Sequence, residues 1–148
     1  MNQKNLSVWI KCVLAGMGVI GGVVYLWLVP WGFRYSLPWE IFLWISGLPC
    51  YAVLFYGWGI ATRIGQDRSF SPENARALRS ISWLAAADSA WFFIGHLALA
   101  VMGESKWGNV LLSLIIVFIG CAISVAAAAL SHLVLKAAAL QEQSDLTI

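Results

Sequence analysis

The sequence predicts an all-α integral membrane protein with four transmembrane helices and both termini in the cytoplasm. Three observations carry that prediction. Four long stretches hold almost no formal charge, the Lys and Arg residues are divided unevenly between the loops, and the chain is 61% hydrophobic but only 11% charged. Soluble domains carry about 25% charged residues, so this chain lacks the polar surface to coat a water-soluble globule. Its mean hydropathy of +0.80 agrees. In hydrocarbon every backbone polar group needs an internal partner, which leaves helices or a closed barrel. Barrel strands alternate polar and apolar residues, whereas a run such as residues 110–117 does not alternate at all.

A span needs about 20 mostly apolar residues. The first, residues 12–33, has no formal charge before Arg34. Lys4 and Lys11 precede it as they would a signal peptide, but the apolar run is long. It ends in Val29-Pro30-Trp31 without a small-x-small cleavage site, so a retained helix is expected. The second span, residues 41–62, is also uncharged, while the third, residues 80–103, carries one carboxylate, Asp88. The fourth, residues 107–135, is free of Lys, Arg, Asp and Glu and leads into a tail, residues 136–148. No linker or second domain is left over.

Orientation follows from basic residues, which favour the cytoplasmic side. With the N-terminus inside, Lys4, Lys11, Arg63, Arg68, Arg76, Arg79 and Lys136 fall on the inner side, against Arg34 and Lys106 outside. The tryptophans fit the same spans, because indole rings prefer the headgroup level. Trp27, Trp31, Trp39 and Trp107 form an outer belt and Trp9, Trp58 and Trp83 an inner one, with Trp44 and Trp91 packing between helices.

The inner loop after the second span is the best-defined polar element. Ser71-Pro72-Glu73-Asn74 reads as a helix start. Ser71 caps free N–H groups, Pro72 suits the first turn, and Glu73 favours the positive end of the dipole. No breaker follows, so residues 72–102 form one helix of roughly 45 Å at 1.5 Å per residue. Arg76 and Arg79 share a face of its first turns, where they set topology or meet anionic lipid. Small residues mark helix contacts: Ala15, Gly18 and Gly22 in the first span, and Gly120, Ser124 and Ala128 in the fourth. Such stripes let backbones approach closely. They suit either a neighbouring helix or a second copy in a homo-oligomer, and packing within the chain is the expectation.

Chemistry-bearing residues are few. Cys12, Cys50 and Cys121 each lie in an apolar run with no CxxC pair, and are expected as buried small hydrophobes. Asp88 is the most informative residue, since an intramembrane carboxylate costs about 2.5–3.5 kcal/mol on translocon scales. It should therefore face the bundle interior, be neutralised by a partner or be protonated. It reads as a polar contact fixing helix pairing, an ion or proton site, or a near-interface carboxylate that reaches water. Lys11, Tyr56 and the face around Ser124 are its candidate partners. His96 and His132 stand near opposite ends of their spans, roughly 25 Å apart in height at 1.5 Å per residue. One haem iron or zinc ion with ligand bonds of about 2 Å cannot take both. No P-loop, HxxEH or CxxCH occurs, and residues 16–22 are Gly-rich within a span with no preceding strand. No catalytic constellation, cofactor site or metal site is expected, and no direct nucleic-acid binding.

At its polar segments the chain resembles a bacterial membrane family known as domain of unknown function 2975. Two stretches carry the resemblance. One is Phe70-Ser71-Pro72-Glu73-Asn74 followed by Leu78-Arg79-Ser80-Ile81, and the other is the C-terminal Lys136-Ala137-Ala138-Ala139-Leu140-Gln141-Glu142-Gln143-Ser144-Asp145-Leu146-Thr147-Ile148. The family pattern is an aromatic-Ser-x-x-Asn/Ser element, then Leu-Lys/Arg-x-Ile, and an ending Glu-Asn-Asp-Leu-Thr-Ile/Val. Gln143-Ser144 departs from it where Glu-Asn is common. The motifs cover spans two to four, and the first span matches only in being hydrophobic.

The resemblance implies four membrane helices in the bacterial inner membrane and no established activity. It also implies a genomic neighbour, a small helix-turn-helix regulator. The expected role is thus a non-enzymatic membrane partner of such a cytoplasmic DNA-binding protein. Phe70, Arg76 and Arg79 would dock it together with Asp145, Leu146 and Ile148. The alternative is a small transporter or proton-coupled carrier using Asp88, with His96 as a second intramembrane polar group.

Overall fold

The computed structural model describes residues 2–28 and 37–146. All regular structure in it is helical: α1 (Gln3–Val23), continued by a π-helical turn (Val24–Leu28), α2 (Leu37–Gly65), α3 (Pro72–Val101) and α4 (Trp107–Leu146). Each of the four is long and apolar enough to cross a membrane. The helices are longer than the apolar segments that define them. α1 starts at Gln3, well ahead of residue 12, and α4 stays helical to Leu146, well past residue 135. Hydropathy marks only the part of a helix that lipid covers, and hydrogen bonding carries the helix on into water. The expected end of the first span, residues 29–33, lies outside the described residues.

Packing is sequential: α1 rests on α2, α2 on α3, and α3 on α4. The most extensive contact is the α3–α4 seam. On α4 the residues withdrawn from the surface include Val110, Ser113, Val117, Gly120, Ser124, Ala127, Ser131 and Val134, spaced alternately three and four apart. That 3.5-residue repeat is the period of a left-handed supercoil. On α3 the facing residues recur every seven positions. The Ala75 carbonyl accepts from Ser131 Oγ at 2.7 Å, the Ser82 carbonyl accepts from Ser124 Oγ at 2.8 Å, and Ser89 stands against Gly120. Hydroxyls bridging two helices satisfy themselves where lipid offers no partner.

The small-residue stripes therefore face within the chain. Gly18 and Gly22 lie against α2, where the Tyr51 hydroxyl donates to the Gly18 carbonyl at 3.2 Å. Ala15 is exposed and outside this contact. On α4 the stripe runs through Ala127 instead of Ala128, because a contact period of 3.5 overtakes a strict four-residue spacing after two turns. Within the apolar span the remaining surface of α4 is mostly apolar, with Leu111, Phe118, Ile119 and Val125 exposed. Lipid takes the place of a protein interior there. For the same reason the three cysteines, expected to be buried, are all exposed on the protein surface. Hydrocarbon is as apolar as a core, so an apolar thiol needs no protein cover.

Two devices shape the helix ends. Gly103, at φ 77°, supplies the left-handed residue after α3, and the amide N–H groups of Glu104 and Ser105 both reach the Leu99 carbonyl. Trp39 Nε1 then donates to the Glu104 carbonyl at 2.8 Å, tying the start of α2 to this turn. Within α2, Pro49 sits in mid-helix, where it cannot donate to the carbonyl four residues earlier and loosens the ladder. Trp91 packs between helices as expected, donating to the Phe42 carbonyl. Trp44 touches the Tyr25 ring but leaves 45% of its surface outside.

Candidate functional site

The four-helix order brings the connection between α2 and α3, the start of α1 and the end of α4 to one end of the molecule. Ser69 Oγ donates to Gln3 Oε1 at 2.8 Å, and Ser7 Oγ donates to the Ala61 carbonyl. Gly65 keeps this crossing close: an added Cβ would stand 2.8 Å from Ser7 Oγ and 3.0 Å from its Cβ. The chain then turns sharply. Arg68 N–H returns to the Arg63 carbonyl at 2.9 Å, and Asp67 adopts φ 58°, a left-handed conformation that Asp tolerates better than most residues.

α3 begins as its sequence dictates. Ser71 is extended and its Oγ accepts from Asn74 N–H at 3.3 Å, with Pro72 in the first turn. Asn74 is the hub of the connection and is 1% exposed. Its Oδ1 accepts from an Arg63 guanidinium N–H at 3.2 Å, and its Nδ2 donates to the carbonyls of Arg68 and Ser69 at 3.2 and 3.0 Å. One side chain thus ties the end of α2 and the turn to the start of α3. In the sequence Asn74 is visible only as the last residue of the helix-start motif. Its signal was the position three after an N-cap Ser, where an amide can reach back over the turn.

Against this turn lies the extension of α4 beyond the apolar span. Together they enclose a groove of about 550 Å3, with Phe70 and Pro72 on one side and Leu135, Ala138, Ala139 and Leu146 on the other. Asp67, Arg68, Gln141 and Glu142 supply polar edges. Phe70 and Leu146 are 57% and 82% exposed, a large apolar surface at a polar end of the molecule.

The expected docking residues divide accordingly. Phe70 and Leu146 share the groove. Arg76 instead turns to Glu73, one turn back on its own helix, at 3.5 Å, and Arg68 stands 3.9 Å from the same carboxylate. Arg79 is exposed on α3 and is not among the groove residues. The basic edge of the groove is therefore Arg68. Asp145 contributes its backbone to α4, and Ile148 lies outside the described residues. The Glu73 carboxyl is held below the usual range, chiefly by its own backbone N–H and further by Ser71, Arg68 and Arg76.

The two intramembrane polar residues occupy separate places. Asp88 lies in mid-helix, about 24 Å from the start of α3 and 20 Å from its end at 1.5 Å per residue. None of its candidate partners reaches it: Lys11 stands over the Trp58 ring at 5.5 Å, Ser124 bonds to Ser82, and Tyr56 is on the surface. Oδ1 of Asp88 is buried with no hydrogen-bond partner among the described residues. It borders a cavity of about 310 Å3.

His96, near the other end of α3, is 8% exposed and sits in an aromatic cluster. Its ring meets Trp39 and Phe42 edge-on with centroids at 5.5 and 5.0 Å, stacks on Phe92 at 5.4 Å, and its Nδ1 lies 3.0 Å from the Phe92 carbonyl. His132, by contrast, is exposed on α4.

Comparison with known proteins fits this architecture. "Uncharacterized membrane protein YoaS" of Bacillus subtilis (strain 168) is 26% identical over 161 residues, a match covering 100% of this chain and 100% of that protein. No solved structure matches. A family model extends across the first span as well, which the motifs alone had left out. With four apolar helices and that match over residues 5–148, this integral membrane protein belongs to the family described as Protein of unknown function (DUF2975).

Proposed function

We propose that the protein is a non-enzymatic membrane partner, resident in the bacterial cytoplasmic membrane, that captures a small helix-turn-helix regulator at its inner face. The observation that carries this reading is the groove between the turn before α3 and the extension of α4, with Phe70 and Leu146 exposed along it. Exposed apolar surface of this kind at a water-facing end marks an interaction site. Seven of the nine Lys and Arg residues fall in or beside the segments on the same side of the four spans as this groove, which favours the cytoplasm for it. The resemblance supplies the class of partner, a regulator encoded beside the membrane protein.

The test is co-purification of that neighbouring regulator with the full chain, with Phe70→Ser, and with a chain lacking residues 145–148. Burying a Phe or Leu side chain contributes about 1.5–3 kcal/mol, so each change should weaken capture by roughly tenfold or more. Membrane insertion should be unaffected. Equal recovery from all three proteins refutes the docking groove.

A further inference from the structure

The cavity at Asp88 is separate from the inner groove and is lined by all four helices. Met17, Gly21 and Tyr25 come from α1 and its π turn, residues 49–54 of α2 contribute Pro49, Cys50 and Tyr51, and α3 and α4 add Asp88 and Gly120. Its walls are apolar or aromatic apart from that one carboxylate. Both tyrosine hydroxyls are already engaged: Tyr51 donates to the Gly18 carbonyl, and Tyr25 shares a 3.1 Å hydrogen bond with Ser46. What they present to a guest is ring surface. Asp88 keeps a buried oxygen without a partner, and among the described residues both ion pairs end on Glu73.

We infer that this cavity binds a lipophilic monovalent cation, an apolar body bearing one protonated amine or quaternary ammonium group. The charge follows from the single carboxylate, which an anion would meet unfavourably and a neutral guest would leave uncompensated. Tyrosine rings favour a diffuse organic cation. A hard metal ion is a poor fit, because Mg2+ or Ca2+ requires about six oxygen ligands and the site offers one carboxylate among hydrocarbon walls. The volume of about 310 Å3 lies at the small end of ligand pockets, which run from about 300 to 1,000 Å3. Access is built into the helix order. α1 and α4 both line the cavity, yet extensive packing runs only between sequential helices. The flank between α1 and α4 therefore opens toward the lipid, from which an amphiphilic cation can enter.

The experiment uses the full chain in phosphatidylcholine nanodiscs, with empty discs as blank. The probes are benzyltrimethylammonium and its uncharged isostere neopentylbenzene. Calorimetry or equilibrium dialysis should show one saturable cation site per chain, with the isostere at least tenfold weaker as a competitor. Asp88→Asn should lower cation affinity at least tenfold and erase the preference over the isostere, while Asp88→Glu retains both within a few-fold. If Asp88→Asn does not fold, the two probes on the unaltered chain decide the question. Absence of saturable cation binding, equal competition by neopentylbenzene, or unchanged affinity in Asp88→Asn each overturns the inference.

Discussion

Removing the amide of Asn74 should open the turn that presents Phe70 without dissolving the helical assembly. In Asn74→Ala the Arg68 and Ser69 carbonyls lose their donor and Arg63 loses its acceptor. Each neutral hydrogen bond contributes about 1 kcal/mol net, and one to a charged group about 1.5–3 kcal/mol. The gross loss is therefore roughly 3.5–5 kcal/mol by these values. The three bonds are only part-buried, so water replaces some of this, and we expect about 3 kcal/mol of local destabilisation. Trypsin cleavage after Arg68 reports it directly. When the turn opens and closes faster than it is cut, cleavage follows the open population, so the rate should rise by roughly a hundredfold. Cleavage within the helices should not change. Asn74→Asp keeps the acceptor for Arg63 while losing both donors, and should fall between the two. A cleavage rate within twofold of the unaltered protein would refute the assignment of Asn74 as the hub.

Other expectations follow from particular contacts. Gly95→Ala places a methyl inside the Phe42 ring, with ring atoms at 2.2 and 2.5 Å in the midst of the His96 aromatic cluster. It should cost about 1–3 kcal/mol or more, read as a lowered unfolding midpoint in detergent. Gly120→Ala meets mainly the rotatable hydroxyl of Ser89, so its midpoint should fall less, and a reversed ranking would contradict the packing described. The Glu73 carboxyl should titrate below the usual glutamate value of about 4.3, followed by its side-chain carbon resonance. With a depressed folded-state pKa, its contribution to the start of α3 is complete above the unfolded value and is lost as pH falls through the folded one. Arg76→Ala should raise that midpoint, and a midpoint at or above 4.3 in the unaltered chain contradicts the reading. Reporter fusions at the C-terminus and at Gly65 should report cytoplasm, and those near Tyr35 and Ser105 the outside. An external C-terminus would reverse the proposed orientation.

The sequence by itself determined the four helices, the start of α3 and the character of the surface. These properties are local. Whether a stretch partitions into hydrocarbon depends on its own side chains, and whether Ser71 caps a helix depends on the next three residues. Register between helices is different, because it depends on rotation about each axis and on the accumulated mismatch between 3.6 and 3.5 residues per turn. Small residues marked faces of the first and fourth spans suited to close approach, but the tertiary structure decided which helices meet there and that the α4 seam passes through Ala127 and not Ala128. It also decided that Asp88 meets an apolar cavity instead of Lys11, Tyr56 or Ser124. The groove shows both kinds of information at once. Phe70 and Leu146 are both expected docking residues from the sequence, yet their juxtaposition exists only because α4 remains helical past the membrane and returns alongside the turn that Asn74 holds.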